Sequence, residues 1–175
     1  MRAEAEREYT DYLRARLSRL HRTAYLLCGD THLAEDLVQA TALAIYRKWR
    51  AVQAADNVDA YVNRVLVNQF LGEKRRPWSR VLLSNRPPDR ATESPSSVED
   101  RDAVRTALAQ LGPRQRAVLV LRFFCDLSVE DTAAALHCST GNVKSQTARG
   151  LVAMRKLMGA GDPASLASGK GDSDG

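Results

Sequence analysis

The residues best suited to do chemistry in this 175-residue chain lie near its C-terminal end, and the chemistry is recognition rather than catalysis. Between Ser139 and Met158 there is no acidic residue. Within that run Asn142, Lys144, Ser145, Ala148 and Arg149 recur at spacings that set them on the exposed side of a helix. An amide, a hydroxyl, a methyl and two cations are what a helix needs to lie against base edges and phosphates in a DNA major groove. Val143, Leu151, Met154 and Leu157/Met158 form an apolar stripe that would hold the same helix from behind. The plainer alternative is a solvated helix of an ordinary all-α domain; the acid-free face weighs against it.

The elements that must position this helix are legible just upstream. Ser128, with Asp131 three residues later, is a helix-start signature in which the hydroxyl can accept from a free backbone amide. Val129, Ala133 and Leu136 follow on one helical face. His137-Cys138-Ser139 interrupts the pattern, and Ser139 can cap a second helix. The segment therefore predicts a helix-turn-helix. Before it, Ser97 and Asp100 open a helix with Val104, Leu108 and Leu111 inside. Gly112-Pro113 ends that helix and starts another, with proline in its tolerated first position. Ala117 to Phe124 is almost wholly apolar and is expected to be the central buried helix.

The N-terminal part has its own helical pattern. Tyr9, Leu13, Leu17, Leu20, Ala24 and Leu27 recur at three- and four-residue steps from about Glu4 to Cys28. Gly29 supplies a left-handed stop, and Asp30 a cap for a helix running from about Thr31 to Arg50. On that helix Glu35, Asp36 and Gln39 face outward, which by itself describes any solvated helix surface. Ala51 to Asp56 is expected to be a loop. Asp56 or Asn57 then caps a third helix that runs to about Arg76, where Pro77 ends it. Tyr61, Asn63, Arg64, Asn68 and the Lys74-Arg75-Arg76 run are left on its outer side.

Composition narrows the function classes. Net charge is +5 with 27% charged residues, a balance that favours a polyanionic partner. Cys28, Cys125 and Cys138 form no C-x-x-C pair, so reduced thiols are expected rather than a disulfide framework. No apolar run reaches the length of a membrane span, and no signal-like core follows Met1. These point to a cytoplasmic protein without membrane insertion. His21, His32 and His137 are not spaced with carboxylates or cysteines as metal ligands, and no glycine-rich phosphate loop or nucleophile motif appears. No enzyme, metal or cofactor is expected.

From Trp78 to Ser97 the periodicity collapses into prolines, serines and arginines, which predicts a flexible linker. The expected organisation is all-α: a helical domain at 4–77, a linker at 78–97, a second helical domain at 98–158, and a glycine- and serine-rich tail at 159–175. The linker's low apolar content further predicts that the two domains move independently.

Two blocks of this sequence resemble a known family. Leu26-Leu27-Cys28-Gly29-Asp30, Ala34 to Gln39, Trp49, Ala60-Tyr61 through Asn68, and Arg75-Arg76 are similar to region two of bacterial sigma factors. Leu111-Gly112-Pro113-Arg114-Gln115-Arg116-Ala117-Val118-Leu119 through Val143-Lys144-Ser145 is similar to region four. The compact form resembles the extracytoplasmic-function group, and within it the SigE-like actinobacterial branch. That resemblance implies an RNA polymerase specificity subunit. It implies that Glu35, Asp36 and Gln39 dock on the β′ clamp helices, and that the flap of β is a second contact. It implies that Tyr61, Asn63, Arg64 and Asn68 act at the melted minus-ten element, with Lys74, Arg75 and Arg76 on its backbone. Asn142, Lys144, Ser145, Ala148 and Arg149 would read the minus-thirty-five duplex. Relatives of this kind are often held by an anti-sigma protein, so one is a possible partner. The competing reading is a stand-alone helix-turn-helix regulator of the LuxR type, whose first domain would show strands.

Overall fold

A computed structural model describes residues 2–74 and 95–159, with the side chains of 73, 74 and 95–98 outside that description. Every regular element among the described residues is helical. In the N-terminal half, α1 spans Ala3–Cys28, α2 Thr31–Arg47, α3 Trp49–Gln53 and α4 Val58–Lys74. In the C-terminal half, α5 spans Pro95–Gln110, α6 Pro113–Leu119, a π-helical turn Val120–Phe124, α7 Val129–Leu136 and α8 Thr140–Gly159. The linker expected at 78–97 and the tail expected at 159–175 lie almost wholly outside the described residues, although Pro95–Gln110 already counts the linker's last positions as helix.

Local chemistry sets most boundaries. Gly29 takes φ +70 and its N–H returns to Tyr25 O at 2.8 Å, closing α1 in a conformation that a side chain would strain. The Asp30 carboxylate accepts from Leu33 N at 3.0 Å and starts α2. Asn57 Oδ1 accepts from Ala60 N at 2.9 Å and starts α4.

Two expectations needed correction. The helix begun at Thr31 breaks at Lys48, and the expected loop after it begins as a helix, α3. Trp49 and Val52 are the reason: both are buried, and Trp49 packs edge-on against Tyr9 and at a tilt against Tyr12, both from α1. The apolar run Ala117 to Phe124 is not one buried helix. It widens at Val120, where Cys125 N–H reaches Val120 O five residues back, at 3.0 Å. That turns Phe123 and Phe124 outward, at 50% and 42% exposure.

The two helical halves pack on each other. One contiguous core runs from Leu20, Ala24 and Leu27 of α1, through Val62, Leu66 and Phe70 of α4, to Leu108, Val118, Leu121 and Leu136 of the second half. Helix α1 packs on α5, α6 and the π turn, and α4 packs on α6 and α7. A linker's composition speaks only for the linker and carries no signal of this packing. Buried positions on α1 and α4 look alike whether they face their own half or the other.

Candidate nucleic-acid and polymerase interface

Ser128 Oγ accepts from Asp131 N at 3.0 Å and starts α7; Ser139 Oγ accepts from Asn142 N at 3.0 Å and starts α8. Between them His137 stands at φ 53, the left-handed turn that reverses the chain. Arg114 of α6 donates to Leu136 O at 2.9 Å and ties that turn to the helix behind it. The predicted helix-turn-helix is present, and its second helix is seated on α6. Val143 is fully buried, and Gly150 lies against Leu119, where a Cβ would stand 2.9 Å from Cδ1.

That seating presents Asn142, Lys144, Ser145, Ala148 and Arg149 to solvent together. By helical spacing Ser145 and Ala148 lie near the middle of the face, with Lys144 on one edge and Arg149 with Asn142 towards the other. Small residues at the centre and cations at the rims let a helix approach base edges while its margins meet phosphate. Gln146 is turned partly inward, towards Gln115 Nε2 at 3.4 Å. Met158, expected inside, is exposed. Beside α8, residues Leu108, Leu119, Phe123, Phe124, Leu151 and Met154 line an open apolar groove of about 560 Å³.

In the first half, Glu35, Asp36 and Gln39 are exposed on α2, while Ala34, Leu37, Val38 and Thr41 are buried behind them. Their strip continues through Leu43, 50% exposed, and Tyr46. Sequence reasoning missed these two; an apolar residue in phase with Glu35 and Gln39 was the available signal. On α4, Tyr61, Arg64 and Asn68 share one helical face opposite the buried Val62, Leu66 and Phe70. Asn63 does not join them: its spacing turns it towards the packed side, and it is half-buried. Lys74 closes α4, and Arg75 and Arg76 lie outside the described residues. Tyr12 donates to Asp59 Oδ1 at 2.7 Å and Arg16 pairs with Asp59 Oδ2 at 3.0 Å, fixing the start of α4 against α1. Burial and the Asp59 carboxylate push the Tyr12 phenol well above its usual range, so it stays a donor.

Among the described residues no group of acids, cysteines and histidines could hold a metal, and no helix is long and apolar enough to cross a membrane. The geometry defines an all-helical protein with a helix-turn-helix on one half and an exposed acidic-apolar strip on the other.

Residues 11–80 match the family model "Sigma-70 region 2" and residues 101–154 match "Sigma-70, region 4". The chain belongs to the sigma-70 family of RNA polymerase sigma factors, in its extracytoplasmic-function group. It is 35% identical to the RNA polymerase sigma-E factor of Streptomyces coelicolor over 161 residues, covering 89% of this chain and 88% of that one. It is 30% identical to the extracytoplasmic-function sigma factor SigE of Mycolicibacterium smegmatis, over 86% of this chain and 61% of that one. Among solved structures it is similar to the sigma factor RpoE of Bartonella quintana, determined with the anti-sigma factor NepR. That match has a TM-score of 0.73 at 25% identity and covers 89% of this chain and 99% of the other. CnrH, determined with the cytosolic domain of CnrY, shares the fold at a TM-score of 0.63. Such proteins are transcription initiation factors and not enzymes.

Proposed function

We propose that this sigma factor joins core RNA polymerase through the α2 strip and directs it to promoters read by α4 and α8. Glu35, Asp36 and Gln39, extended by Leu43 and Tyr46, dock on the β′ clamp helices; the groove beside α8 receives the flap of β. An acidic end that continues into exposed apolar residues along one helix face suits a helical partner with basic and apolar positions. Tyr61 offers a π-face to an unstacked base of the minus-ten element, and Arg64 and Asn68 lie beside it for phosphate and base edge. Lys74, Arg75 and Arg76, next in sequence, are assigned to the backbone of the same strand, and Asn63 has a packing role. Asn142, Lys144, Ser145, Ala148 and Arg149 read the minus-thirty-five duplex.

The observation that carries this reading is the acid-free face of α8 occurring in one chain with the exposed α2 strip: one surface for DNA, another for a protein. RpoE of Bartonella quintana and CnrH were each determined with an anti-sigma protein or its cytosolic partner domain. We extend that partner class to this chain, acting in the cytoplasm. The test is promoter binding with and without core polymerase. The chain alone should bind a promoter duplex weakly, and adding core should tighten binding by orders of magnitude. Equal affinity in both conditions would favour the stand-alone LuxR-type regulator.

A further inference from the structure

Val152 of α8 is 49% exposed. It lies in neither of the exposed apolar surfaces, the α2 strip with Leu43 and Tyr46 or the groove lined by Phe123, Phe124 and Met158. Nor is valine a natural choice for helix stability at an open interior position. Its branched side chain restricts χ1 and lowers helix propensity relative to alanine, lysine or glutamate. Its place on the helix is specific. Val152 follows Ser145 by seven residues and Ala148 by four, so the three share one strip of α8, about 10 Å long along the axis. At about 3.4 Å per base pair that strip covers roughly three base pairs of a duplex. Residues at i, i+3, i+4 and i+7 are the ones a homeodomain helix turns to the bases from the major groove.

The margins of the strip fit the same use. By helical spacing Lys144 and Arg155 border it on one side, and Arg149 and Lys156 on the other. All four are exposed, and among the described residues none of them is in an ion pair. Helix α8 carries no acidic residue. The face therefore runs unbroken to Lys156, a row of small and apolar side chains between two rows of cations. Cations at the margins meet phosphates, while the row between them faces the floor of the groove. An apolar side chain has few readable features there. Purine edges and the cytosine amino group present polar atoms, which valine leaves unpaired once it displaces their water. Thymine alone presents a methyl group, on C5.

We propose that Val152 is a base-reading residue that selects thymine, through its C5-methyl, at one position of the minus-thirty-five duplex beyond the pair met by Ala148. This rests on the promoter reading above and lengthens the reading face of α8 by one turn. Ser145 and Ala148 are small enough to let the helix come close, and Val152 supplies the apolar contact that the close approach makes available.

The test uses the full chain with core polymerase on a promoter duplex. Each thymine of the minus-thirty-five element is replaced in turn by deoxyuridine, which lacks only the C5-methyl, and affinity is measured for the wild type, Val152→Ala and Val152→Ile. At one thymine the wild type should lose about fourfold in affinity, the scale of one buried methyl group. Val152→Ala should be insensitive to deoxyuridine at that same thymine, and Val152→Ile, which keeps the branched apolar contact, should retain the loss. Because Val152 is half exposed, neither replacement disturbs the core. Specific binding with no methyl-dependent thymine would overturn the proposal. So would an equal loss in the wild type and Val152→Ala at every thymine, which would hand the methyl contact to another residue. A wild type that binds the promoter no better than one with a scrambled minus-thirty-five element would overturn the promoter reading itself, and the Val152 assignment with it.

Discussion

A Cβ placed on Gly150 would stand 2.9 Å from Cδ1 of Leu119, closer than side chains ordinarily come. This pair sets how deeply α8 seats on α6, and so how far Ser145 and Ala148 project. Glycine inside a helix costs about 1 kcal/mol relative to alanine. The expense is offset by the close approach it permits.

Gly150→Ala gains helix propensity but needs Leu119 to move, so its net effect on stability should be within about 1 kcal/mol. Gly150→Val adds bulk that Leu119 cannot clear and should destabilise by about 1–3 kcal/mol. Adding Leu119→Ala to Gly150→Val should recover part of that loss, so that the two effects are not additive in chemical denaturation.

The exposed strip on α2 should serve binding and not folding. Asp36→Arg should shift stability by under about 0.5 kcal/mol and abolish association with core polymerase. Leu43→Glu should behave the same way, since its side chain is half exposed. A pull-down on core polymerase, beside a thermal melt, separates the two properties. Either variant unfolding would make the strip structural.

Tyr61→Ala should impair initiation on duplex promoters more than on templates already opened at the minus-ten element. The loss should correspond to roughly 1–3 kcal/mol of base stacking. Equal loss on both templates would assign the half-buried Tyr61 to packing instead. Asn63→Ala should act mainly on stability, because Asn63 lies off the strip shared by Tyr61, Arg64 and Asn68.

Lys144 and Arg149 stand towards opposite edges of the α8 face, and their replacement should have different signatures. Lys144→Ala should cost about 1–3 kcal/mol on the preferred minus-thirty-five sequence and flatten preference at one base pair. Arg149→Ala should weaken all sequences alike and lower the salt slope by about one. Titrations at several salt concentrations on matched and mismatched duplexes distinguish them.

What the sequence disclosed was what local chemistry determines. Ser128, Ser139, Asp30 and Asn57 are caps whose bonds close within three residues, so each helix start near them could be read directly. The recognition face was legible for the same reason, because charge and size along one helix need no knowledge of its neighbours. Long-range packing set the remainder. Helix α3 exists because Trp49 is enclosed by Tyr9 and Tyr12, some forty residues earlier. Phe123 and Phe124 face outward because the backbone widens at Val120. Arg116 is buried because Leu27 O, 89 residues away in sequence, accepts from it.

Run-off transcription with purified core polymerase on a promoter library, comparing the wild-type chain with Ala148→Glu, asks whether α8 reads promoter DNA. Ala148 stands near the middle of the exposed α8 face. The wild type should initiate from a subset of promoters sharing a minus-thirty-five sequence. Ala148→Glu, through both bulk and charge, should lose those transcripts while still binding core polymerase. Unchanged transcription by Ala148→Glu from the same promoters would contradict the assignment of this helix to promoter DNA.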